Sequence, residues 1–220
     1  MNSKLGRPRD VRDTDQRCVA AAQLLFASNG FDGASLRDIA NAVGISSAAL
    51  VHHFGTKERL YSAVLESLAK SLGSYLNDAR EPPSVAAAMR LFDRFLDWSF
   101  ENQHYSQLLM RELMENKSRV SRARRLHMLE MIGTFVDLLK QGVRAGVFKP
   151  IDAELFVFFT LGAITHFSAA APTIDRMLSD DLGDAITRFK AVLKLNVTSA
   201  LSVVTPAPSD ADGNDLREAR

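Results

Sequence analysis

Apolar residues recur along this chain at spacings of three and four, the mark of one buried stripe per helix. Val19, Ala22, Leu25 and Phe26 predict a first helix from about Thr14 to Ser28, ended by Asn29-Gly30. Phe31 is expected to pack inward before the Asp32-Gly33 turn. Leu36, Ile39, Ala40 and Val43 make a second stripe, with Ser35 placed as its cap and Asp38 completing a shortened capping box. Gly44 stands where a left-handed C-terminal cap is wanted, Ile45 points inward, and Ser46 caps a short third helix, Ser47 to His53. From Lys57 the stripe Leu60, Tyr61, Val64, Leu65, Leu68, Leu72, Tyr75 and Leu76 predicts a long helix to about Ala79, stopped by Pro82-Pro83.

The rest reads as helix after helix. Val85 to Phe100 carries Ala88, Leu91, Phe92, Phe95, Leu96 and Phe100 on one face. Helices near Tyr105 to Asn116 and Val120 to Ala145 follow, the latter ending at Gly146. Asp152 to Ala170 is apolar almost all round, Pro172 interrupts, and Asp181 to Val203 is striped again. A helix greasy on every side must be buried on every side, and in a chain of this size part of that face is expected to meet a second subunit. The fold class is therefore all-α. The expected divisions are a basic N-terminal arm (1–11), an N-terminal helical unit (12–59), a helical body (60–204) and a disordered tail (205–220).

Two short helices joined at Val43-Gly44-Ile45-Ser46 form a helix-turn-helix, which sets its second helix in the DNA major groove. The run Leu50-Val51-His52-His53-Phe54, then Gly55-Thr56-Lys57-Glu58, makes the pattern more specific. From about Arg12 to Leu65 the chain resembles the DNA-binding domain of the TetR family of transcriptional repressors. The resemblance implies a homodimer joined through the last two long helices as a four-helix bundle. It also implies a palindromic double-stranded operator, and release by a small apolar or amphipathic ligand held in the body. Repression itself is carried by the resemblance alone.

DNA contacts are expected from several places. Arg7 and Arg9, in a segment that Pro8 bars from a helix interior, belong either to a solvated terminus or to an arm along phosphates or in the minor groove. Ser46, Ser47, Ala48 and Ala49 open the recognition helix and let the backbone approach closely. Val51 stands where the family pattern has a tyrosine touching the DNA backbone; it can meet a thymine methyl but cannot bond a phosphate, so that contact is lost or moved to His52. His52 and His53 can each donate from one ring nitrogen. A metal role for the pair is poor, because neighbouring helix positions point about 100° apart. Ser35 and the amides of its helix, and Thr56 with Lys57, form anion sites at helix N-termini. Arg37 resembles the family position that supplements base reading; otherwise it is a surface ion pair with Asp38 or Asp32.

Composition narrows the picture. The 220 residues carry a net charge of only +1, so binding to DNA must come from a local patch rather than from general coating. One cysteine, Cys18, excludes an internal disulfide framework and reads as a buried thiol rather than a redox sensor. No apolar run approaches spanning length, so a soluble cytoplasmic protein with no membrane partner is expected. No nucleotide-binding, hydrolase or metal motif is present, so neither an enzyme nor a cofactor is expected. In the body, Phe92, Phe95, Trp98, Met110, Met114, Met128, Met131, Phe135, Phe159 and His166 are either core or the lining of an inducer pocket. The Arg119, Arg122, Arg124 and Arg125 cluster reads as a solvated helix face. The rival reading is a DNA-binding protein without an inducer, architectural or dependent on a protein partner.

Overall fold

The computed structural model describes residues 8–76, 81–115, 121–177 and 182–203, with backbone alone for 8–12, 112–115, 121–131 and 182. Among them the chain is helical, apart from an isolated antiparallel bridge between Phe148 and Ser202. The all-α expectation holds. The N-terminal unit comprises α1 (Pro8–Gly33), α2 (Leu36–Val43), α3 (Ser47–Phe54) and the start of α4 (Lys57–Leu76). α1 begins ahead of the predicted Thr14, because proline's fixed φ and missing N–H suit a first helical turn. The backbone of Arg9 is therefore helical rather than an extended arm. Arg7 and the tail 205–220 lie outside the described residues.

Gly30, inside α1, has φ 73° and ψ 174°, a backbone conformation open almost only to glycine. The regular helix breaks where Asn29-Gly30 predicted, and the turn beyond it folds Phe31 back onto the core. Phe31 stacks on Phe26 at 5.9 Å and meets the edge of Tyr61 at 5.0 Å, while Tyr61 lies edge-on to Phe26 at 4.9 Å. Cys18, Ala22, Ile39, Ala40, Leu50 and Leu60 close this small core. Burial, then the nearby Asp15 carboxylate, push the Cys18 thiol above its ordinary range, so it stays protonated and inert.

The body is built from α5 (Val85–Glu101), α6 (Gln103–Glu115), α7 (Ser121–Arg144), α8 (Ala153–Ala169), α9 (Ala171–Met177) and α10 (Leu182–Leu201). α9 was not expected. Pro172 reads as an interruption, yet it falls in a first turn, where proline is tolerated. Phe92, Phe95, Trp98 and Phe135 are buried and packed ring against ring, with Phe92–Phe135 at 5.4 Å and Phe95–Trp98 at 5.7 Å. In the last turn of α5 the Ser99 carbonyl accepts the hydroxyls of Ser106 (3.1 Å) and Ser168 (2.6 Å), which ties α6 and α8 to the end of α5.

Two sets of polar contacts join body and N-terminal unit. Along one face of α4, Ser67 pairs with the Tyr105 hydroxyl (2.9 Å), and Ser71 accepts the Trp98 indole N–H (2.9 Å). The guanidinium of Arg111, on α6, donates to the Ala27 and Ser28 carbonyls of α1 at 2.8 and 2.7 Å. These carbonyls precede the break at Gly30, where helical partners run out and the dipole is negative, so a cation fits them.

α8 is apolar all round, as expected, but only half of it is buried. Val157, Leu161, Ile164 and Ser168 face the core, whereas Leu155, Phe158 and Phe159 are 66%, 62% and 68% exposed, with His166 on the exposed side too. Phe159 and His166, expected as core or pocket lining, lie on the exposed side. Helical geometry turns them away from the face that Val157 and Ile164 bury. α10 likewise leaves Val192 and Leu195 outside, and it touches α8 through the stacked rings of Phe167 and Phe189, 4.2 Å apart.

Two substitutions probe this framework. A Cβ on buried Gly142 would lie 2.0 Å from the Phe148 ring, so Gly142→Ala should destabilise the body by about 1–3 kcal/mol in chemical denaturation. Arg111→Ala should cost about 1–2 kcal/mol and speed hydrogen exchange in the turn after Gly30 more than in α10.

Candidate nucleic-acid interface

Local rules build the helix-turn-helix. Ser35, in extended backbone, accepts the Asp38 amide at 3.1 Å and starts α2. Gly44 ends it at φ 76°, ψ 32°, and the Ile45 amide reaches back to the Ala40 carbonyl at 3.0 Å, a Schellman closure. Arg17, from α1, donates to the Val43 carbonyl at 2.8 Å and places a positive charge at the C-terminus of α2. Ser46 accepts the Ala49 amide at 3.1 Å and starts α3. Buried Leu50 anchors α3 to the core.

The outward face of α3 is short and sparse. Ser46, Ser47, Ala48, Val51 and His52 are exposed, while Ala49 is half-buried. His53 does not join them. Its Nδ1–H donates to the Asp15 carboxylate of α1 at 2.7 Å, so it braces the end of α3 against α1. The two expected histidines have therefore separated, one outward and one inward, and among the described residues no group of three or more potential ligands could hold a metal.

The two helix N-termini expected to bind anions differ from each other. At α2 the Ser35 hydroxyl donates to the Asp38 carboxylate at 2.6 Å, so this N-terminus already carries a negative group. At α4 the Thr56 hydroxyl accepts the Arg59 amide at 3.3 Å. Lys57 sits 4.7 Å above the Phe31 ring and 3.4 Å from the Asp32 carbonyl, which holds its ammonium near the first turn of α4. Arg37 is exposed, in the first turn of α2.

Sequence reasoning missed Asp15, Arg17 and Arg111. Each acts on a partner at least 26 residues away, and no local spacing records that. Asp15 and Phe54 also border a surface cleft of about 670 Å³ between α1 and α4, whose rim carries the Glu66–Lys70 ion pair. The cleft is also lined by Val19, Ala20 and Ala63, so apolar and charged side chains share it. Of the residues proposed for that pocket, Met110 is half-buried, and the side chains of Met114, Met128 and Met131 lie outside the described residues.

Comparison with known proteins agrees with this geometry. Residues 19–64 match the model of bacterial regulatory proteins of the tetR family, and residues 85–191 match the tetracyclin repressor-like C-terminal domain. The chain is 26% identical over 181 residues to the HTH-type transcriptional regulator RutR of Escherichia coli K12, covering 82% of this chain and 85% of that protein. It is 28% identical over 146 residues to the HTH-type transcriptional repressor KstR2 of Mycobacterium tuberculosis H37Rv, covering 63% and 71%. The fold is similar to that of the TetR family transcriptional regulator PfmR from Thermus thermophilus, with a TM-score of 0.65 at 20% identity over 92% of this chain and all of that one. With its helix-turn-helix and its helical body both matched, the chain belongs to the TetR family of transcriptional regulators.

Proposed function

We propose that the protein is a homodimeric repressor that reads a palindromic operator with α3 of each subunit and leaves it when a small ligand binds the body. The observation that carries the DNA-reading part is the exposed, small-residue face of α3 on a helix-turn-helix held rigidly by Leu50, Arg17 and the His53–Asp15 bond. The apolar outer faces of α8 and α10 support dimerisation, since contiguous exposed rings and aliphatic chains of this size ask for a cover. The name of KstR2 supports repression over activation. Ligand release requires that the ligand bind the non-reading shape more tightly than the reading one. A regulator of this kind works in the cytoplasm, beside the chromosome, and performs no catalysis. Among the described residues, no single helix is long and apolar enough to cross a membrane.

The ring-on-ring packing of Phe92, Phe95, Trp98 and Phe135 favours a second reading, in which the body serves only to dimerise and no inducer exists. Release of the bound operator by small apolar compounds separates the two.

Selection of the folded protein on random duplex DNA should yield a palindrome with half-sites one helical turn or more apart. No enrichment at moderate salt would overturn operator reading. Leu195→Glu should leave the subunit folded but monomeric by ultracentrifugation, with operator affinity greatly reduced. Lys57→Ala should weaken binding to all sequences and lower the salt slope by about one. Arg37→Ala should relax preference at particular base pairs; a uniform loss would assign Arg37 to phosphate.

A further inference from the structure

We infer that α3 reads its half-site chiefly through thymine methyl groups, with Val51 and Ala48 as the specificity-determining side chains. The inference deepens the operator-reading function proposed above and rests on it. The outward face of α3 is Ser47, Ala48, Val51 and His52. Leu50 is buried, Ala49 and Phe54 are half-buried, and His53 is turned inward to Asp15 at 2.7 Å.

None of the four outward side chains can bond two base-edge atoms at once, as arginine, asparagine and glutamine do. Ser47 and His52 offer single hydrogen bonds, which discriminate weakly between base pairs. Apolar contact is what remains. The major groove presents one apolar group, the thymine C5-methyl, and it marks both the A·T pair and its orientation.

Val51 fits this role physically. It is 44% exposed, lies one turn from Ser47 and Ala48, and carries a β-branched side chain with few rotamers to lose on contact. An apolar side chain held in water on the DNA-facing helix gains when that surface is buried against another apolar group. The small Ala48 beside it lets the backbone approach closely enough for methyl-to-methyl contact. Both half-sites should therefore contain thymines whose methyls, more than their hydrogen-bonding edges, are required.

The test replaces each thymine of the selected operator in turn with deoxyuridine, which removes only the methyl. Binding of the full-length protein is then measured by fluorescence anisotropy. At one or two thymines per half-site, affinity should fall about three- to fivefold per methyl removed. Val51→Ala should abolish the penalty at one of these positions and leave the others unchanged. A 5-methylcytosine placed there should bind better than cytosine by a similar factor. A selected palindrome insensitive to every uracil substitution would overturn methyl reading while leaving operator reading intact. A penalty that persists unchanged in Val51→Ala would remove Val51 from the contact. Failure to select any palindrome would instead overturn the operator reading itself, and this inference with it.

Discussion

α4 has to satisfy two cores at once, and the rest of the molecule depends on that. Its first turns bury Leu60, Tyr61 and Val64 in the DNA-reading unit, and its later turns bury Leu68, Leu72 and Leu76. Between and beside these, Ser67 and Ser71 take the polar tips of Tyr105 and Trp98 from the body. Burial holds the Tyr105 phenol above its ordinary pKa, with the bond to Ser67 opposing the shift, so the hydroxyl remains protonated. Losing either contact would strand a polar group among stacked rings. Arg111 adds a second tie from α6 to α1. Half-buried bonds from α5 and α6 to α4 and α1 thus connect the body to the reading head, and a change in the position of either helix would strain them.

The exposed faces of α8 and α10 pose the opposite problem. Leu155, Phe158, Phe159, Val192 and Leu195 cost solubility in a lone subunit, and they lie on neighbouring helices joined by Phe167 and Phe189. In the proposed homodimer this apolar face would form the two-fold interface, and two-fold symmetry would in turn match two reading heads to a palindrome. Under that proposal, surface chemistry at one end of the chain and base reading at the other would be linked by symmetry rather than by contact.

What was legible in the sequence follows from the range of each interaction. Ser35, Gly44 and Ser46 act on amides three to five positions away, so caps and turn could be read directly, as could the break at Gly30. The greasiness of α8 was also visible, but not which half of it faces outward, where Phe159 and His166 lie exposed. Asp15, Arg17 and Arg111 were invisible because their partners are distant in sequence and leave no periodic trace. The early start of α1 escaped because its first turn carries no apolar stripe, and α9 because Pro172 reads the same at a first turn as at a break.

The two helix N-termini proposed to meet phosphates differ in their electrostatics. With Asp38 bonded to the Ser35 hydroxyl, the N-terminus of α2 presents a carboxylate where the helix dipole would otherwise favour a phosphate. At α4 the corresponding turn has Thr56 as its cap and Lys57 held over Phe31. In the proposed DNA complex, attraction to the backbone would be weighted toward the α4 side of the helix-turn-helix, and Arg37 is exposed on the α2 side. A chain of net charge +1 gains little from long-range attraction. In the proposed homodimer, affinity for an operator would then come from this small set of placed contacts and from two heads engaging together.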